Sequence, residues 1–99
     1  MISRQWRGVA RLHRAADYIR HLRTETFPAP REIPGFVDAS ILRRPLNRGV
    51  EFQIVTRWTS LDAIARFAGT DPEVAVVPPQ VSDMMLDYDA RVSHFEVVE

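Results

Sequence analysis

Residues Val50 to Gly69, VEFQIVTRWTSLDAIARFAG, change their apolar period in mid-course, and no other stretch restricts the fold as tightly. Val50, Phe52 and Ile54 alternate, with Thr56 and Trp58 in phase, which is the period-2 pattern of a strand. From Thr59 onward Leu61, Ile64, Ala65 and Ala68 recur at i, i+3, i+4 and i+7, the stripe of an amphipathic helix. Thr59 or Ser60 can cap its first turn, Asp62 complements the helix dipole, and Gly69 can end it. A strand feeding directly into a helix, with Trp58 at the joint, calls for a sheet with a helix on one face.

The flanking segments extend this unit. Phe36 to Arg44, FVDASILRR, reads as a strand, and Pro45 to Gly49 as a turn returning the chain antiparallel. Arg14 to about Thr26 reads as a helix with Ala15, Ala16, Ile19 and Leu22 along its stripe. Pro28, Pro30 and Pro34 end regular helix, and Pro34-Gly35 marks a turn. Beyond Gly69, Asp71-Pro72 predicts a short helical piece. Val81, Met84, Met85 and Leu86 predict another turn or two of helix, and Arg91 to Val98 a last strand.

Residues 2 to 12, ISRQWRGVARL, admit two readings. As a strand they put Trp6, Gly8, Ala10 and Leu12 on one face. As a helix they align Ile2, Trp6, Val9, His13 and Ala16 opposite a basic face of Arg4, Arg7, Arg11 and Arg14, which suits a membrane surface or an acidic partner. Gly8 costs the helix about 1 kcal/mol relative to alanine. Taken as a strand, the segment completes the order βαββαβ. That is a ferredoxin-like α+β fold, an antiparallel four-stranded sheet with helices on one face. Several strands carry apolar residues on both faces, so the face away from the helices needs a cover, and a second copy of the sheet supplies one economically.

The length of 99 residues predicts one domain over 1–99, burying roughly 65% of its unfolded surface. Thirteen basic residues balance thirteen acidic ones, so no net field draws the chain to nucleic acid or an anionic membrane. Every basic residue is Arg, and the absence of Lys removes Schiff-base chemistry. The absence of Cys removes disulfides, thiolate metal sites and thiol nucleophiles. No apolar run reaches the length of a membrane span and MISRQWRG has no signal-peptide core, so the cytoplasm is the expected compartment.

No nucleotide-binding Gly-rich loop, nucleophile elbow or zincin motif occurs. Trp58 reads as a core anchor, and Trp6 as either sheet packing or pocket wall. His94, inside an apolar strand, is either hydrogen-bonded structure or a group that meets a ligand. His13 and His21 read as solvated, and no His pair has metal-ligand spacing beside a carboxylate, so no metal is expected. The acidic patch of Asp83, Asp87 and Asp89 and the basic hairpin tip of Arg43, Arg44 and Arg48 also read as solvated.

The strand-helix unit VEFQIVTRWTSLDAIARFAG resembles the dimeric α/β-barrel proteins, specifically the antibiotic biosynthesis monooxygenase-like group. There a strand ending in Trp is followed by a Ser-containing helix start and a late helical aromatic. PGFVDASILRR is similar to the group's second strand and RVSHFEVVE to its last, so the likeness runs over about residues 2 to 98. It implies that residues 2 to 12 are a strand, that two protomers pack sheet on sheet, and that each holds a pocket between helices and sheet. Some members oxidise phenols to quinones with O2 and neither metal nor flavin, and others degrade haem. The haem branch's helix Trp falls on Phe67 and its iron-binding His on Val77, and a valine cannot ligate iron. The resemblance therefore implies cofactor-independent oxygenation of a small phenol or quinol by a homodimer, with His94 as base or hydrogen-bond partner and Trp6, Trp58 and Phe67 as walls. The alternative is a non-catalytic dimeric binding or stress-associated module. An open cavity with an acid-base pair would favour the enzyme, and a pocket closed by Met84, Met85 and Leu86 the module.

Overall fold

The computed structural model describes all of residues 1–99. Strands β1 (Ile2–Ala10), β2 (Phe36–Leu46), β3 (Gly49–Trp58), β4 (Met85–Tyr88) and β5 (Ser93–Glu96) form one antiparallel sheet. Helices α1 (Ala15–His21), α2 (Pro28–Arg31), α3 (Leu61–Ala68) and α4 (Pro79–Ser82) complete the chain. The strand reading of the N-terminal segment holds. β1 is central, between β3 on one side and the short strands β4 and β5 on the other. Its register sets Ile2, Arg4, Trp6, Gly8 and Ala10 opposite Trp58, Thr56, Ile54, Phe52 and Val50. Those residues share the helix-side face, because successive strand residues alternate sides.

The fourth strand position differs from expectation. Instead of one strand from Arg91 to Val98, β5 pairs with the first half of β1 and β4 with its second half. The backbone between them is bonded elsewhere: Ala90 accepts from Ala75 N (3.0 Å), and Val92 N donates to Glu73 O (2.8 Å). That exchange also explains why no helix follows Asp71-Pro72. Asp71 closes a single turn by accepting from Glu73 N (3.1 Å), and Val74 then bridges to Arg91 as β structure. The helix expected around Val81 to Leu86 is confined to α4, since the Met84 carbonyl accepts from Arg11 N (2.9 Å) and Met85 pairs with Ala10.

Both longer helices are rotated from the stripes drawn on the sequence. α3 buries Ala63 and Ile64 and leaves Leu61 half exposed. α1 buries Ala15 and Tyr18 while Ala16 is exposed. α1 continues through Leu22–Thr26 as a π turn, in which Phe27 N donates to Leu22 O at 2.9 Å. Pro28, which has no N–H, starts α2 directly after it. At the Trp58 joint Ser60 caps α3, accepting from Ala63 N at 3.2 Å. Gly35 packs under that cap with φ of 102°, and a Cβ there would stand 2.7 Å from the Ala63 side chain.

The core divides into two clusters. The larger gathers Tyr18, Leu22, Phe27, Phe52 and Met84 with their neighbours, and the smaller gathers Trp58, Ala63 and Ile64. No helix is long and apolar enough to cross a membrane.

Candidate functional site

Between the two clusters lies a half-open cavity of about 80 Å³. β1 and β3 form its floor through Arg4, Trp6, Ile54, Thr56 and Trp58. The α1 end and the π turn contribute Tyr18, Leu22, Thr26 and Phe27. α3 contributes Phe67, and the loop after it contributes Val76 and Val77. The wider helical turn matters here, because an extra residue per turn places Leu22, Thr26 and Phe27 on one wall.

The aromatic walls are held by specific contacts. Trp58 is fully buried, donates from Nε1 to Thr56 Oγ1 (2.9 Å), meets Phe36 edge-on at 5.2 Å and stacks on Phe67 at 6.0 Å. Trp6 donates from Nε1 to the Asp89 carbonyl at 2.8 Å and lies between Tyr18 (6.1 Å) and Tyr88 (6.3 Å). Its ring covers Gly8, the one residue type that leaves room for it. The structure brings Trp6, Trp58 and Phe67 together on one cavity.

His94 stands just outside that cavity. It pairs with Arg4 across β5 and β1 and is half-buried. Its Nε2 lies 3.1 Å from Arg4 Nη1, and since guanidinium only donates, Nε2 accepts and the ring proton sits on Nδ1. Burial, then the Arg4 charge, push the imidazole below its ordinary value against a smaller opposing pull from Glu73. His94 is therefore neutral at pH 7, and its connection to the cavity runs through Arg4, which lines it.

Arg4 and Tyr18 are the polar groups that sequence reasoning missed. Arg4 is only 6% exposed. It donates to the Pro72 carbonyl, to Val74 O (3.3 Å) and to His94, and lies 5.8 Å from the centre of the Phe67 ring. Burial pulls its guanidinium down to about 10, so it stays charged at neutral pH. Tyr18 is 2% exposed, its hydroxyl takes no partner from the protein, and burial raises its ionisation above the usual phenol range. The signal for both was phase. Arg4 alternates with Ile2 and Trp6, and Tyr18 falls three residues from Ala15 and four from Leu22.

Val77, which falls at the haem branch's iron-ligand position, presents only methyl groups to the cavity, and no His lines it. Met84 and Met85 are buried in the larger cluster, and Leu86 is 41% exposed; none of the three closes the cavity. His13 is exposed, and Asp87 is occupied near Arg7 (3.7 Å) and Arg48 (3.6 Å). No cluster of three or more His, Cys, Asp or Glu side chains could hold a metal.

No protein-family model and no curated protein matches the sequence. Solved structures match its fold over the full length. A Bacillus cereus protein provisionally described as an antibiotic biosynthesis monooxygenase has 18% identity and a TM-score of 0.63, with 99% of this chain and 91% of that one covered. A Deinococcus radiodurans protein of the same provisional description has 19% identity and a TM-score of 0.64, covering 100% and 94%. MhuD, the heme-degrader of Mycobacterium tuberculosis solved with two hemes in its active site, has 18% identity and a TM-score of 0.60, covering 100% and 97%. Along its whole length this chain shares the fold of these proteins, a ferredoxin-like α+β arrangement built on one antiparallel sheet.

Proposed function

We propose that this protein is a homodimeric, cofactor-independent monooxygenase that oxidises a small phenol or quinol in the cavity between sheet and helices. The observation that carries the proposal is the pairing of an open aromatic cavity with a buried cation on its wall. Trp6, Trp58 and Phe67 would hold the ring and exclude water, and Arg4 would favour the anionic form that gives electrons to O2. The reaction balances without a reductant. A phenol loses its hydroxyl proton and one ring hydrogen, one oxygen atom becomes the new carbonyl, and the other leaves as water. His94 acts in this scheme through its bond to Arg4 Nη1.

The haem reading has weaker support, since Val77 has no lone pair for iron. The binding-module reading loses its main premise, because Met84, Met85 and Leu86 do not fill the cavity.

The test is oxygen uptake with a panel of single-ring phenols and quinols, alongside quinone formation. One O2 consumed per quinone formed, unchanged by chelators, is expected. Binding without oxygen uptake would leave the module as the correct reading. His94→Ala is expected to abolish turnover with the dimer intact, and unchanged turnover would remove His94 from the mechanism.

A further inference from the structure

The cavity is electrically one-sided. Among its fifteen lining residues Arg4 is the only charged one, and none is Asp or Glu. A buried charge without a counter-charge is unfavourable unless something supplies one. Seven other arginines, all more exposed, lie within 4.0 Å of a carboxylate: Arg7, Arg14, Arg20, Arg44, Arg48, Arg57 and Arg91. The deeply buried one does not. Its partners are two backbone carbonyls and a neutral imidazole, and Nε with one Nη2 hydrogen takes no protein acceptor. The Tyr18 hydroxyl, also unpartnered, adds a second donor on the same cavity.

We infer that the ligand of this cavity is an aromatic anion, a phenolate or an aryl carboxylate, whose charged oxygen sits against Arg4 with the Tyr18 hydroxyl as a second donor. The inference deepens the preceding reading by naming the ligand class, and rests on it only in taking the cavity as a ligand site. Size narrows the class further. The void is smaller than the ~150 Å³ apolar cavity that admits benzene, so at most a single ring is accommodated, with part of the ligand left in the open mouth.

The probes are 4-nitrophenol against its methyl ether, and 4-nitrobenzoate against its amide. Binding is read by quenching of the two cavity tryptophans. The sign of one measurement separates the ideas. An apolar cavity alone raises the titration midpoint of a bound phenol, whereas a facing guanidinium lowers it. We expect the bound 4-nitrophenol midpoint to fall by about one pH unit, and at least one anion to bind about tenfold tighter than its neutral isostere. Which anion wins identifies phenolate or carboxylate as the source of the charge.

Arg4→Gln should erase the preference, and Arg4→Lys should keep part of it. If Arg4→Gln does not fold, the wild-type midpoint and Arg4→Lys decide the matter. A raised midpoint, equal binding of neutral isosteres, no binding of any probe, or equal displacement by acetate or chloride overturns the inference. None of the probes is a quinol and none needs turnover. Failure to consume oxygen therefore leaves this result standing, and oxygenation without anion preference removes this inference alone.

Discussion

At the scale of single residues, Gly8 and His94 show how closely the site is tied to its supports. A Cβ on Gly8 would lie 2.4 Å from the outer edge of the Trp6 indole, far inside contact distance. Gly8→Ala is expected to push the indole from the cavity wall and to destabilise the fold by about 1–3 kcal/mol. A lower urea midpoint together with red-shifted tryptophan emission would register both effects, and an unchanged emission spectrum would show that the ring is not fixed there. His94 carries the pH dependence. Its folded-state ionisation lies below the ordinary 6.5, mainly through burial and then the Arg4 charge. The unfolded chain therefore binds the proton first, and stability falls as pH drops from about 6.5 toward the folded value. Urea midpoints between about pH 7 and about pH 5 should decline more steeply in wild type than in His94→Gln. Parallel slopes would mean that His94 is not held neutral.

Among the elements, α3 is the cleanest test of the joint between strand and helix. Ser60 supplies the only side-chain cap of any helix here, and Ser60→Ala should cost about 1 kcal/mol, or about 4–8 °C in Tm. Probe binding should survive, because Ser60 does not line the cavity. The joint itself was legible in sequence because two periods meet in one continuous segment, and period is a local property. The β2–β3 hairpin was legible for the same reason. The split of the last strand was not, because it depends on residues 73–75 taking the backbone bonds of residues 90 and 92. That is a contact between segments with no local signature. The π turn was also hidden, since its apolar residues fit an ordinary helical stripe within one position. For the site, Trp6, Trp58 and Phe67 were readable as large aromatics at marked positions. Arg4 was read as part of a possible basic face, and only the strand register turns it inward beside Trp6. Tyr18 lay one position off the stripe drawn through Ala16 and Ile19, and its burial emerges only from the rotation of α1.

For the whole molecule the open question is what covers the sheet face opposite the helices. Pairing sets three rows across it: Asp38, Arg57, Ser3 and Phe95; then Ser40, Val55, Gln5 and Ser93; then Leu42, Gln53 and Arg7. Polar members are matched within the chain, as in Gln53 to Gln5 (3.2 Å), Gln5 to Ser3 (3.1 Å) and Arg57 to Asp38 (2.8 Å). The apolar members Leu42, Val55 and Phe95 run diagonally across the rows, with Leu42 53% and Phe95 54% exposed. A face with internally satisfied polar groups and an exposed apolar diagonal can be buried against a copy of itself without stranding a charge. A stable interface of this kind covers about 800 Å² per partner. Light scattering is expected to give the mass of two chains, and Leu42→Asp, which puts a carboxylate on the exposed diagonal of each chain, to give one. A wild-type monomer would leave the exposed diagonal unexplained by self-association. The sheet residues that line the cavity, Arg4, Trp6, Ile54, Thr56 and Trp58, lie on the other side of the sheet from Leu42. Monomeric Leu42→Asp should therefore bind 4-nitrophenol within about twofold of wild type, the margin set by additivity of distant sites. A loss of binding on dissociation would show that the partner orders the cavity, and would tie the site to the dimer.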